Sequence, residues 1–118
     1  MKPSVRGTRP AVVRPRAESP AAAFGDEARC ELAVHTLSLL ANAKRLRILC
    51  ALADHELSVA QIVKVVGGGI SGVSQQLKLL TLAGLLKRRR LQKSVYYRLV
   101  DPRVRRILHF LRDQFPSA

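Results

Sequence analysis

Three consecutive glycines, Gly67, Gly68 and Gly69, separate two stretches whose apolar residues recur at helical spacing. Ahead of them run Val59, Ile62, Val63 and Val66, opened by Ser58, a residue type that can accept hydrogen bonds from the free N–H groups at a helix start. Behind them, Ile70, Val73, Leu77 and Leu80 share one helical face, and Ser71, Ser74, Gln75, Lys78 and Thr81 share the other. Glycine reaches positive φ without a steric penalty, so the triplet breaks the first helix and turns the chain into the second. The outer face of that second helix is polar without being acidic, as insertion into a DNA major groove requires.

Gly84 ends the second helix, and the apolar period then falls towards 2. Leu85 and Leu86 lead into Lys87, Arg88, Arg89 and Arg90. A loop near Leu91–Ser94 is followed by Val95, Tyr96, Tyr97, Arg98 and Leu99. Six basic residues and no acidic one lie between Lys87 and Arg98. Helix, turn, helix and basic hairpin together predict a mostly α, α+β fold: a winged helix-turn-helix of five helices with a two-stranded β-hairpin wing, working as a dimer. The candidate DNA contacts are Ser71, Ser74, Gln75 and Lys78 on the helix, with Arg88, Arg89, Arg90 and Lys93 on the wing. A basic face that is merely solvated would have the same composition.

The remaining segments fit around this unit. Residues 1–25 hold four of the six prolines and five basic residues, lack periodicity, and are expected to form a disordered basic tail. The folded domain is expected over residues 26–115. A helix from about Asp26 to Leu40 presents a broad apolar face, Leu32, Ala33, Thr36, Leu37, Leu39 and Leu40. Asn42 caps a helix over 43–53, in which Lys44, Arg45 and Arg47 alternate with the apolar Leu46, Ile48, Leu49 and Leu52. Asp101 and Pro102 open a last helix with Val104, Ile107, Leu108 and Leu111 on one face, stopped by Pro116. So small a domain leaves that helix little core to cover. It is expected to pair with the first helix across a twofold axis, placing two groove-reading helices about 34 Å apart on a palindromic site.

A formal charge of +13, from 21 basic and 8 acidic side chains, favours a polyanionic partner. Only Tyr96 and Tyr97 lie near the basic cluster, too few to stack single strands, so double-stranded DNA is the expected partner. No run approaches the roughly 20 apolar residues of a membrane span, and residues 1–20 lack a signal-peptide core. No membrane association and a cytoplasmic location are therefore expected. Two cysteines, Cys30 and Cys50, are no disulfide framework in that setting. No catalytic constellation can be assembled, and the glycine triplet lacks the Lys-Ser/Thr that completes a phosphate loop. An enzyme is not expected, nor a cofactor. A sequence-indifferent, charge-driven DNA binder is the other reading, opposed by the nearly uncharged outer face of the second helix.

These residues resemble the ArsR/SmtB family of winged-helix repressors. The resemblance runs through LLANAKRLRILCAL (Leu39–Leu52), ELSVAQI (Glu56–Ile62), SGVSQQLKLLTLAGLLKRRR (Ser71–Arg90) and SVYYRLVDPRV (Ser94–Val104). It implies that Ser71, Ser74, Gln75 and Gln76 lie on the groove-facing helix and that Arg88–Ser94 form the wing. The family's Cys-x-Cys metal site would fall on Ser58 and Ala60, and its Asp-x-His site on Asp101 and Arg103 with His109 alone, so no metal site is expected. The resemblance is nearer to the metal-free branch of the HlyU, BigR and SqrR type, which responds to oxidants or persulfides through two thiols. Arg47-Ile48-Leu49-Cys50 matches the first thiol of that branch; the second falls at or beside Pro116, where this chain has no cysteine. Cys50 and Cys30 are thus the candidate redox-sensing residues, with Arg47 and Arg29 beside them expected to lower their pKa values. Regulation by another ligand, or none, is the alternative, with a metal sensor a more distant one.

Overall fold

Ser58 accepts a hydrogen bond from the Gln61 N–H at 3.2 Å, and the Gln61 side chain accepts one from the Ser58 N–H at 2.8 Å. This reciprocal capping box fixes where the first helix of the helix-turn-helix begins. The structure, a computed structural model, describes residues 18–117. Its elements are α1 (Pro20–Phe24), α2 (Glu27–Leu40), α3 (Ala43–Ala51), β1 (Leu57–Ser58), α4 (Val59–Val66), α5 (Ile70–Leu82), β2 (Leu86–Leu91), β3 (Ser94–Leu99) and α6 (Pro102–Gln114). The chain divides into an N-terminal unit ending at Ala33 and a second unit from Val34, the boundary falling within α2.

In the N-terminal unit, the Ser19 hydroxyl caps α1 by accepting from the Ala22 N–H, with Pro20 at the first helical position. Asp26 caps α2, its Oδ1 accepting from the Ala28 and Arg29 N–H groups. The expectation of a disordered tail through residue 25 is corrected at Pro20–Phe24, which form α1, capped by Ser19 and with Ala23 buried. The rest of that predicted tail, residues 1–17, lies outside the described residues.

The second unit holds one apolar core. Ile48, Leu49 and Leu52 from α3 and its end meet Ile62 of α4, Val73, Leu77 and Leu80 of α5, Leu86, Tyr97 and Leu99 of the sheet, and Val104 and Leu108 of α6. The sheet has three strands in the order β1-β3-β2, all pairings antiparallel. The expected two-stranded hairpin thus gains a third, two-residue strand, because Leu57 and Ser58 pair with Tyr97 and Tyr96 before α4 begins. Gly67 and Gly68 adopt φ of +79° and +83°, and Gly84 adopts +86°, so the breaks at both ends of α5 rest on backbone that glycine reaches freely. Ile70, which shares a helical face with Val73, Leu77 and Leu80, is 61% exposed, since it stands at the first helical position.

Two arginines tie element ends together. Arg45 caps α2, donating from Nε to the Leu39 carbonyl at 2.8 Å and from Nη2 to the Ser38 carbonyl at 3.2 Å. Arg105 joins α6 to the other layers, reaching the Ala53 and Leu99 carbonyls, each at 2.8 Å. Both satisfy carbonyls that a helix or strand end leaves open. Among the described residues, no helix is long and apolar enough to cross a membrane.

Asp101 starts α6. Its Oδ1 accepts from the Arg103 N–H at 2.9 Å and the Val104 N–H at 3.3 Å. Burial works to raise this carboxyl's pKa, but the Arg103 side chain and the two amides outweigh it and hold the group below the ordinary carboxylate value. A depressed folded-state pKa makes the stabilisation fully present above the unfolded value of about 3.9 and lost as the pH falls through the folded one. Asp101→Ala is expected to cost about 1 kcal/mol in urea unfolding at neutral pH. Asp101→Asn should retain most of the cap while losing part of the stability decline below about pH 4.

Candidate nucleic-acid interface

Val73, Leu77 and Leu80 are at most 1% exposed, and their burial sets the rotation of α5 about its axis. Positions 71, 74, 75 and 78 follow the spacing of a single helical stripe, and Ser71, Ser74, Gln75 and Lys78 are all exposed. Gln76 lies beside the stripe, half-buried, its Oε1 3.5 Å from Arg45 Nη1. Thr81 is turned back onto its own helix, donating to the Leu77 carbonyl at 2.7 Å.

The start of α5 is electropositive. Gly69 stands at the cap position and no side chain caps the helix, so the first-turn N–H groups keep the partial positive charge of a helix N-terminus. Lys44 Nζ lies 3.1 Å from the point a Cβ on Gly72 would occupy, which brings an ammonium over this turn. The glycine at 72 gives the lysine its room. Sequence spacing alone could not separate Lys44 from Arg45; the fold does so by assigning Arg45 to the carbonyls of α2.

Strand pairing sorts the wing's cations. Leu86, Arg88 and Arg90 pair with Leu99, Tyr97 and Val95, so Arg88 and Arg90 share the face of the sheet whose base is buried. Arg88 joins Ser74, Lys78, Thr81, Leu82 and Tyr97 in lining a groove of about 490 Å³ between α5 and the wing. One groove therefore joins Ser74 and Lys78 of the outer stripe to the first wing arginine. Arg90 and Lys93 are exposed towards the hairpin tip, where Gln92 takes a left-handed φ of +57° in a two-residue turn. Arg89 falls on the opposite face and forks onto Glu56, with Nη2 to Oε1 at 2.7 Å and Nε to Oε2 at 2.8 Å. The acid-free count between Lys87 and Arg98 is accurate, yet β1 brings an acid to the wing from 33 residues upstream.

The two cysteines stand in different units: Cys30 half-buried in the N-terminal one, Cys50 exposed in the second. Contrary to expectation, Arg47 does not lower the Cys50 pKa; partial burial pushes the thiol up. Arg29 is engaged by Glu18 at 2.8 Å. Cys50 edges a hollow of about 190 Å³ shared with Ala53, Asp54, Leu108, His109 and Arg112. His109 Nε2 lies 3.1 Å from Asp54 Oδ1, and its Nδ1 lies 3.3 Å from Arg112 Nη1. A guanidinium cannot accept, so Nδ1 is the acceptor in the Arg112 contact and Nε2 is the nitrogen that faces the Asp54 carboxylate. Among the described residues, no group of three or more His, Cys, Asp and Glu is gathered that could hold a metal ion.

Residues 42–88 match the family described as "Bacterial regulatory protein, arsR family". The transcriptional activator HlyU of Vibrio cholerae is 37% identical over 86 residues, covering 73% of this chain and 80% of its own. The transcriptional regulator KmtR of Mycobacterium tuberculosis is 38% identical over 77 residues, covering 65% of this chain; the chain spans only 59% of KmtR. Among solved structures, the transcriptional repressor BigR from Xylella fastidiosa superposes with a TM-score of 0.75 at 28% identity, covering 80% of this chain and 97% of its own. A homodimeric winged helix-turn-helix DNA-binding domain from Mycobacterium bovis gives a TM-score of 0.64 at 29% identity, covering 82% and 86%.

A raised pKa leaves less thiolate at neutral pH. Cys50 is therefore expected to react with iodoacetamide at pH 7 more slowly than an unstructured cysteine peptide, and the gap should close as the pH rises above the thiol range. Rates followed by intact-protein mass spectrometry, with a Cys30→Ser variant to isolate Cys50, check this.

Proposed function

Because this chain belongs to the bacterial ArsR family of regulatory proteins, a family of transcription regulators and not of enzymes, we propose that it is a DNA-binding transcriptional repressor acting on a palindromic operator as a homodimer. The observation that carries this reading is that Ser74 and Lys78 of the outer stripe of α5 share one groove with Arg88 of the wing. Ser71, Ser74 and Gln75 read base edges, glutamine being suited to adenine, while Lys78, Arg88, Arg90 and Lys93 hold the phosphate backbone. Lys44 and the uncapped start of α5 add a further place for a phosphate oxygen. HlyU is called an activator and BigR a repressor. The direction of control depends on where the site lies relative to a promoter, and repression is the outcome expected when the operator overlaps one.

Dimerisation through α2 and α6 is supported by apolar side chains that the chain leaves uncovered, Val34 and Leu37 on α2 and Phe110 on α6, with Phe115 just beyond it; their exposures run from 52% to 76%. Surfaces of this kind mark association sites on soluble proteins. We further propose that release from DNA follows oxidation or persulfidation of Cys50. The support is its place in Ile48-Leu49-Cys50 and its exposure at the rim of the hollow between α3 and α6.

Sedimentation is expected to give a dimer, and fluorescence anisotropy a preference of at least about 10³-fold for an operator over random duplex. Gln75→Ala should lose about 1–3 kcal/mol of discrimination at one base pair per half-site. A monomer, or equal affinity for every duplex, would overturn the repressor reading. Treatment with a persulfide donor should weaken wild-type binding and leave Cys50→Ser unaffected; full retention of wild-type affinity would remove the thiol switch and leave the repressor standing.

A further inference from the structure

The wing's arginines are not equivalent. Arg88 and Arg90 lie on the face that meets the α5 groove, whereas Arg89 lies on the other and is held at both ends of its fork by Glu56. Arg89 pairs across the hairpin with Tyr96, and Tyr96 pairs in turn with Ser58, so the fork spans all three strands to reach the residue before β1. Glu56 is only 26% exposed in its side chain, while Arg89 is 56% exposed. The arginine holds the carboxyl below the ordinary carboxylate range, with Arg98 adding a weaker attraction, so Glu56 stays charged throughout the neutral range.

Building on the DNA-binding reading above, we propose that Arg89 is a positioning residue and not a phosphate contact: Glu56 cancels its charge, and the pair clamps the wing's outer face to β1 while Arg88, Arg90 and Lys93 face the DNA. The reason is electrostatic. Moving Arg89 to a phosphate would strand the Glu56 carboxylate beside a polyanion, and a bidentate partner already in place needs no further ordering. Whatever the detailed pose, the pair is neutral and releases no counterion when DNA binds. The formal charge of this surface thus overstates the number of phosphates it takes up.

The test is the slope of log K against log salt, measured by fluorescence anisotropy on the full chain with an operator duplex. Each phosphate contact contributes about 0.9 to that slope. Arg88→Gln is expected to lower it by about 0.9 and Arg89→Gln to leave it unchanged, even where loss of the clamp weakens binding at every salt concentration. Glu56→Gln, nearly isosteric, removes the carboxylate that holds the half-exposed Arg89 side chain on the outer face, leaving it to reach round the narrow hairpin to a phosphate, and is expected to steepen the slope by up to about 0.9. An Arg89→Gln slope that falls as far as that of Arg88→Gln overturns the proposal, as does a Glu56→Gln slope equal to wild type. If Arg89→Gln fails to fold by circular dichroism, Glu56→Gln decides alone. Wild-type protein with no salt-dependent DNA binding would instead overturn the DNA-binding reading itself.

Discussion

The burial of Val73, Leu77 and Leu80 is the constraint from which the rest of this surface follows. Each such side chain contributes about 1.5–3 kcal/mol when removed from water. Three on one stripe compare with the whole stability of a small domain, about 5–15 kcal/mol. Rolling α5 to present another face would forfeit much of that sum, so the helix has one orientation. Ser71, Ser74, Gln75 and Lys78 are outward because their neighbours on the other side cannot be. Ile48 and Leu49 of α3 and Ile62 of α4 form the floor beneath that stripe, and α3 and α4 both pack directly against α5. The polar face thus inherits its precision from an apolar one.

Charge on this chain is divided between structure and display. Arg45 and Arg105 spend their donors on carbonyls at the ends of α2, α3 and β3. Arg29 meets Glu18, Arg89 meets Glu56 and Arg103 meets Asp101. These exposed pairs contribute little stability singly, about 0–1 kcal/mol. Their larger consequence is to fix which cations are available to a polyanion. Among the described residues, Lys44, Lys78, Arg88, Arg90 and Lys93 make no such ion pair, and they lie on or beside α5 and the wing, where their charge stays open to a polyanion.

Much of this was legible in the residues, because it depends on local rules. Ser58 with Gln61, Asn42 with Arg45, and Asp101 with Arg103 and Val104 are caps whose partners lie within three residues, and each capping residue stands where the pattern places it. The apolar spacing of α5 found its buried face but not the fate of Ile70, because periodicity cannot say where along a helix the packing begins. What escaped were long-range pairings. β1 is two residues long and exists only because β3 lies beside it. The Glu56–Arg89 fork joins residues whose proximity no spacing rule encodes. The pKa of Cys50 is set by the fold in another way: partial burial pushes it up, and the arginine three residues away along the helix does not offset that.

That upward shift bears on how a thiol at this position could act. Cys50 sits on α3, two residues beyond Ile48 and one beyond Leu49, both fully buried in the core that supports α5. The hollow it borders is closed on the other side by Leu108, His109 and Arg112 of α6. A group added to the sulfur would therefore meet α6 first, at the contacts that His109 makes with Asp54 and Arg112. Its influence on α5 would have to pass through the packing of α3, which is stiff because close-packed interiors do not deform by small increments. An effect on DNA binding then calls for a shift of α3 or α6 as a body, not for a local change at the sulfur. A thiol placed for leverage needs no unusual reactivity, only a neighbouring helix that has to move when the thiol is modified.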